Sequence, residues 1–578
     1  MITVIRTFSF ILSTIGWWEV IKRNTDVDIN YIPSLTNAIQ IVFLFFCGLL
    51  NLLSEGVTAL FLFGLVFLVQ CLFKRKKAAF DFRPNYYIGF LFLFGVFTVE
   101  AAFLNGRLFT HYDNFSHWGL VVKRMLEVNR FPNFQDPLIE FQEYPLGSAT
   151  FIYYFCKITS PSEAAQMLAQ TYLMLCCIQP IFSFARKNCV ACFSTILIAT
   201  NFFFTYNIAL TDLLVDTLLP LAGMCGVLFA VTYCGKEASS KNILLASCYA
   251  AFLVQIKNSG LFFACIICAW NLYYIRNGHK EARMVAVLFP ILSSILWHKH
   301  CAYVFYAAKL SKHALSLSNY KDVFFRKSAE DIYYIIKAMV KFSLLWKDVW
   351  LTIFLFLLLG VVVSRFAKAE LKEYGIILLA SALLYTLYQI GQTLMFLFSM
   401  PGSEAINLLG NTRYSKTIIL SIIYIFLVLA IKTISGFPNG KRVLTTVVSV
   451  VISASICGLL FFSTGEVRTA LTYTGWYSGD ERAWLETVKN DYQIPCGSSY
   501  CILIPKADSG YTFYLGKYIF QSPYVSTKII NNETDFDDIN GEFIIIYDEE
   551  NESIKNWVRL NYPDFNGSKV IVRDEIIE

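Results

Sequence analysis

The sequence predicts an α-helical polytopic membrane protein that crosses the bilayer about thirteen times and ends in a small water-exposed α/β domain. Composition is the first reason. Of 578 residues, 56% are hydrophobic and 16% charged, against about 25% charged in soluble domains, and the mean hydropathy is +0.53. The second reason is a succession of long apolar segments separated by short polar ones. The third is a change of character after residue 462, where charge returns and apolar runs shorten. The 52 Phe and 33 Tyr suit lipid-facing helices and the headgroup boundary, where a tyrosine keeps its polar edge wet.

A spanning helix needs about 20 mostly apolar residues, with about 17 as a working limit unless the bilayer thins. On that measure spans fall at Ser34–Leu53, Val57–Phe73, Tyr87–Leu104, Glu163–Phe184, Val190–Asn207, Leu213–Tyr233 and Ile243–Ile256. They continue at Leu261–Ile275, Met284–Tyr303, Val349–Val363, Tyr374–Phe398, Thr417–Ile431 and Leu444–Phe462. The N-terminal stretch Met1–Trp18 is apolar but interrupted by Arg6 and lacks a small-residue cleavage site, so it reads as an interfacial helix, not a secretory signal.

Lys and Arg collect in short cytoplasmic loops. Here they cluster at Lys74–Lys77, Arg186 with Lys187, Lys236 with Lys241, Arg276–Arg283, Arg365–Lys372, and Lys432 with Lys441 and Arg442, each between an even-numbered span and the next. That register predicts a cytoplasmic N-terminus and an external C-terminus. The domains are then a membrane part, 1–462, with external loops at about 105–162 and 304–348, and an extracytoplasmic part, 463–578. In the latter DERAWLETVKNDY and ESIKNWVRLNYP read as helices, and SYCILIP, GEFIIIYD and KVIVRDE as strands.

The net charge of +6 is dispersed among topology clusters and forms no single basic face, which excludes a nucleic-acid partner. Most of the sixteen cysteines sit singly in apolar segments as small fillers. Cys496 and Cys501 could form a disulfide if their domain faces an oxidising compartment.

Chemistry concentrates in the first external loop, HYDNFSHWGLVVKRMLEVNRFPNFQDPLIEFQEYPLG, from His111 to Gly147. Asp113 follows directly on the third span, where an ionised carboxylate needs a polar cavity, a cation or a metal. Beyond it, Trp118, Leu120, Val121, Met125 and Leu126 alternate at helical spacing with His117, Lys123, Arg124 and Glu127, the pattern of a helix lying on the membrane surface. In TDLLVD, Asp212 and Asp216 stand four apart and would share a helix face. Asp212 also reads as a helix cap, whereas Asp216, one turn deeper, needs a polar partner. Lys257 interrupts VQIKNSGLF, either gripping a lipid phosphate or snorkelling to water. His298 and His300 form an HxH without acidic or Cys ligands nearby in sequence. SKHALSLSNY, which holds His313, combines polar and aromatic groups that could bind a sugar or form an ordinary surface loop.

An acid just after an early span, an amphipathic helix and a tyrosine-proline-glycine turn, carried here by HYDNFSHWG and EYPLG, resemble the GT-C class of polytopic membrane glycosyltransferases, over roughly Tyr87 to Lys416. Arg413 and Tyr414, in GNTRYSK, look like the arginine-tyrosine pair that class presents late in the chain, and a guanidinium fork suits phosphate oxygens. The resemblance implies a polyprenyl-phosphate-linked sugar donor, a glycan, lipid or protein acceptor, inverting transfer on the outer face of a bacterial plasma membrane, and a part in making the cell envelope. It implies Asp113 as base with Asp212 as the second carboxylate, and Arg413, Tyr414 and Lys257 on the phosphate. His117, Glu143, Tyr144, Asp216 and His313 would contact sugar or acceptor. Asn114 stands where the class frequently has a second acid, which weighs against a divalent metal, the one cofactor the class suggests. The rival readings are a lipid-linked oligosaccharide polymerase or ligase and a transporter or flippase. A transporter would carry ionisable groups in mid-helix and broken helices in matching halves.

Overall fold

The computed structural model describes residues 2–73, 84–207, 210–306, 317–438, 442–463, 480–530, 539, 541–547, 551–563 and 567–572. The basic run at 74–77, Lys441 and His313 lie outside these residues. The membrane part consists of α1 (Ile2–Asn24), α2 (Ile32–Leu49), α3 (Leu53–Phe73), α4 (Pro84–Leu104), α5 (Tyr112–Ser116), α6 (Trp118–Val128), α7 (Gly147–Ile158), α8 (Glu163–Ile178), α9 (Cys189–Tyr206) and α10 (Leu218–Tyr233). It goes on through α11 (Ser240–Ile256), α12 (Gly260–Tyr273), α13 (Lys280–Val304), α14 (Leu317–Phe325), α15 (Ala329–Leu345), α16 (Lys347–Phe366), α17 (Leu371–Phe398), α18 (Gly402–Ile406), α19 (Asn411–Gly436) and α20 (Arg442–Ser463).

Among the described residues eleven helical segments are long and apolar enough to cross a membrane, with α10, α11 and α12 as shorter apolar helices. The chain is an integral membrane protein. Every expected span falls on one of these helices, and the remaining long one is α1. It does not stand apart from the bundle as the interfacial reading has it. Gly16 and Gly64 let α1 and α3 touch: a Cβ on Gly16 would lie 1.8 Å from the Gly64 carbonyl oxygen. There Ser13 Oγ donates to Phe61 O and Trp17 Nε1 to Leu60 O, each at 2.9 Å.

The direction of α1 follows from its ends. Lys241 Nζ, at the start of α11, donates to Asn24 O, and Asp28 N donates to Tyr233 OH at the end of α10. Asn24 therefore lies opposite to the end where α11 finishes and α10 begins. Trp18 meets Phe90 and Phe94 of α4, and Phe10 meets Tyr154 and Phe155 of α7, so α1 runs parallel to α3. Arg6 sits exposed within the first two turns, where its stem can snorkel to headgroups.

In the stretch expected to form the second external loop, the described residues are helical over Leu317–Phe325 and Ala329–Leu345. Ser328 opens α15 with a capping box to Asp331, and α15 packs on α17 through Ile335, Met339, Phe396 and Leu397.

The C-terminal part contains α21 (Asp480–Asp491), β1 (Tyr500–Ile504), α22 (Tyr511–Phe520), β2 (Val525–Ile529), β3 (Phe543–Ile546), α23 (Glu552–Asn561) and β4 (Val570–Val572). The strand order is β2-β1-β3-β4, with β1 parallel to both neighbours and β4 antiparallel to β3. All five residues of β1 are buried, as expected of a central parallel strand covered on both faces. The expected strands and helices fall on β1, β3, β4, α21 and α23; α22 and β2 are additional. Cys501 is buried within β1 and Cys496 is exposed, and both are free thiols, so no disulfide joins them.

The packing of α1 predicts that the N-terminus and the turn after α4 share one side. In intact cells or sealed vesicles, a tag on the N-terminus and a tag inserted at 105–107 should be accessible from the same side; opposite accessibility would mean that α1 does not cross.

Candidate functional site

The turns that follow α4, α9 and α11 and those that precede α8, α10, α12 and α19 gather at one end of the bundle, and the candidate residues meet there. Asp113, in the single turn α5, accepts a hydrogen bond from Arg413 Nη1 at 2.6 Å through Oδ2. Arg413, in the first turn of α19, also places Nε 3.6 Å from Asp216 Oδ2. Asp216 Oδ1 accepts from Lys257 Nζ at 2.9 Å. Tyr414 packs beside both cations, with the Lys257 ammonium 5.2 Å and the Arg413 guanidinium carbon 5.3 Å from its ring centre. Residues from four separate stretches thus form one network of alternating charge. One capacity remains open within it: among the described residues Arg413 Nε is buried without a hydrogen-bond partner.

Side-chain bonds hold this end together. Asn114 Oδ1 accepts from Leu213 N at 2.9 Å, and Asp212 Oδ1 accepts from Leu214 N at 2.9 Å. Gln170 Nε2 donates to the carbonyls of Asp212 and Leu214 at 3.3 and 3.2 Å. These bonds offer the 212–216 backbone an alternative to helix, so α10 begins at Leu218 instead of Leu213, and Asp212 and Asp216 sit in a loop, not on one helix face. Asp212 is buried and shapes the loop. Asp216 has the polar partner its depth required. Thr417 Oγ1 adds a bond to the Asp216 carbonyl at 3.3 Å.

The EYPLG turn fits against the end of α11. A Cβ on Gly147 would come within 2.7 Å of Gln255 O, so only glycine allows the approach that brings Tyr144 beside the cluster. Tyr144 stacks on Phe141 with ring centres 5.3 Å apart, and burial pushes its phenol well above the usual range, keeping it a hydrogen-bond donor. His117 is 3% exposed and is surrounded by the rings of Trp118, Phe141 and Tyr144 at 4.8, 5.7 and 5.0 Å. Neither of its ring nitrogens has a hydrogen-bond partner. Glu143 is not drawn into the cluster: its carbonyl accepts from Trp297 Nε1 at 3.0 Å and its carboxylate faces Cys301 and Tyr320. His298 Nδ1 bonds Ser294 O within its own helix.

A cavity of about 800 Å³ opens from the charged cluster. Tyr144, Asp216, Lys257 and Tyr414 form its polar mouth. The remainder is largely apolar, with Gln392 and Ser399 among its polar lining, and runs between α12, through Leu261, Phe262, Cys265, Ile266 and Ala269, and the last three turns of α17. The α12 stripe covers about 12 Å along the helix axis. Leu261, Leu387 and Leu394 on its walls are about half exposed, at 52, 49 and 49%, so the groove opens sideways from the bundle. Nothing in the sequence pattern marked this groove, because its walls look like any apolar helix face.

Among the described residues no three His, Cys, Asp or Glu side chains converge as metal ligands. Asp113 and Asp216 are each already paired with a cation, which makes the cluster a poor fit for a divalent metal.

Burial lowers the His117 pKa to about 3, the nearby Asp113 only partly opposing it. The unfolded chain would protonate this ring near 6.5, so its contribution to stability is fully present above that pH and is lost as pH falls toward 3, by about 3 kcal/mol at pH 4. His117→Phe should flatten thermal unfolding against pH between 6.5 and 4 in detergent; an unchanged slope would contradict the buried neutral ring.

No family model, no curated protein and no solved structure matches the chain.

Proposed function

We propose that the protein is a membrane glycosyltransferase that takes a sugar from a polyprenyl-phosphate carrier and transfers it, with inversion, to a glycan, lipid or protein acceptor of the cell envelope. The observation that carries this reading is a cluster of two carboxylates and two cations, of which Asp216 and Lys257 line the mouth of a largely apolar groove open to the side. A phosphate on a hydrocarbon chain has the same division into charged head and greasy tail.

The chemistry assigned to the cluster is a single displacement. The acceptor hydroxyl oxygen bonds the anomeric carbon, the bond from that carbon to the phosphate oxygen breaks, the hydroxyl proton passes to Asp113, and the electron pair leaves on the phosphate. Arg413 and Lys257 stabilise the departing charge. In the resting protein Arg413 holds Asp113; as it turns its fork to an arriving phosphate, the carboxylate becomes a freer base. Tyr144, on the cavity wall, faces the sugar or acceptor as a neutral hydrogen-bonding group; His117, enclosed by Trp118, Phe141 and Tyr144, supports that ring from behind, and Asp212 supports the loop that carries Asp216. Charges gathered where helices end, with none of this cluster in mid-helix, favour surface chemistry over transport.

In this reading the cluster faces outward in a plasma membrane of bacterial type. Taking the eleven long helices and the three shorter apolar ones among the described residues together, this reading has fourteen crossings, with both termini on the outer face.

Asp113→Asn should leave folding and donor binding intact and lower transfer at least about a hundredfold, the span of general-base catalysis; near-normal turnover in purified protein would remove Asp113 from the mechanism. Gly391 lies on the groove wall with open space where a Cβ would stand. Gly391→Trp should raise KM for a long-chain polyprenyl donor about tenfold, the order of one large apolar obstruction, and spare a short-chain donor. Equal effects on both donors would count against a tail in the groove.

A further inference from the structure

The C-terminal domain meets the membrane part at the turn that carries Asp113. Arg482, 6% exposed, donates to Glu163 in a bidentate pair, Nη1 to Oε2 and Nη2 to Oε1, both at 2.8 Å. Its Nη1 also donates to Phe109 O at 2.9 Å, while Phe109 N donates to Glu163 Oε2 at 2.6 Å. Tyr518 OH of α22 completes the carboxylate with a bond to Oε1 at 2.7 Å. Phe109 is thereby held through both its amide and its carbonyl. On the other side of Asp113, the Phe115 ring packs against Tyr511 and Tyr518 at 5.9 and 5.2 Å, with the Arg482 guanidinium 5.7 Å from its centre.

We propose that Arg482 is a positioning residue for Asp113: with Glu163 and Tyr518 it fixes the chain four residues before the carboxylate and two after, so that the C-terminal domain sets the geometry of a base belonging to the membrane part. This rests on the reading of Asp113 as base. The bundle side supplies two anchors to the same turn, Asn114 to Leu213 N and Asp113 to Arg413, and the second must loosen when Arg413 turns to a phosphate. The clamp from the C-terminal domain involves no group that faces the substrate and remains closed throughout. A buried Arg–carboxylate pair bonded on both edges suits such a task, since its planar fork resists rotation.

The test compares the full-length protein in nanodiscs with R482Q, R482K and Y518F. Amide hydrogen exchange is followed over 109–118, together with kcat and KM for a polyprenyl-phosphate sugar. In R482Q exchange over 109–118 should accelerate about tenfold or more while 163–206 stays protected. Its kcat should fall about tenfold or more, as expected for a misplaced catalytic group, with KM for the donor unchanged. R482K should recover part of both, and Y518F should shift both less in the same direction. Unchanged exchange over 109–118, a loosened turn with unchanged kcat, or a rise in KM instead of a fall in kcat would each overturn the proposal. If R482Q does not fold, R482K and Y518F decide by the same readouts. If the wild-type protein transfers no sugar, the proposed function fails, while exchange still decides whether Arg482 holds the turn.

Discussion

Charge neutralisation where the helices end is the constraint on which the arrangement depends. Asp113 and Asp216 sit at the edge of an apolar bundle, where an unpaired carboxylate is costly. Arg413 and Lys257 make their presence tolerable, and in doing so tie the loop after α4, the approach to α10, the α11–α12 turn and the start of α19 into one unit. Removing one partner of such a pair leaves a charge short of its partner, though Arg413, set between Asp113 and Asp216, keeps one carboxylate when the other is replaced. The same pairing that stabilises the cluster also gives it both signs of charge, which the proposed proton transfer beside a phosphate would use.

Around that cluster the neutral groups have a geometric task. Asn114 and Gln170 pin the 212–216 loop, Gly147 lets the EYPLG turn approach α11, and the Trp118, Phe141 and Tyr144 rings enclose His117. Each is rigid by packing or by a bond to backbone, and rigidity in the supporting residues is what keeps a reactive carboxylate in one place.

Much of this was legible in the sequence because the bilayer imposes length and composition so strictly. All thirteen expected spans are helices, and Asp113, Asp216, Lys257, Arg413 and Tyr414, chosen as charged or aromatic residues at apolar boundaries, converge in space. What sequence could not supply is anything set by contact between distant segments. Arg482 and Glu163 stand 319 residues apart and look like ordinary helix-terminal charges. Asn114 reads as a missing acid until Leu213 N is seen bonded to it. Glu143, adjacent to Tyr144, was expected to share its surroundings, yet the backbone turns its side chain toward α13. The N-terminal helix, which reads as interfacial in the sequence, is long and apolar enough to cross and packs on α3 through Gly16 and Gly64, a contact no local pattern announces.

The groove between α12 and α17 is charged only at its mouth. A carrier lying there would be recognised by its phosphate and by the first stretch of hydrocarbon along the α12 stripe, and everything farther along the tail would remain dissolved among neighbouring lipids. Such a protein would be strict about the headgroup and indifferent to total chain length, able to share a carrier pool with enzymes that draw on isoprenoids of several sizes.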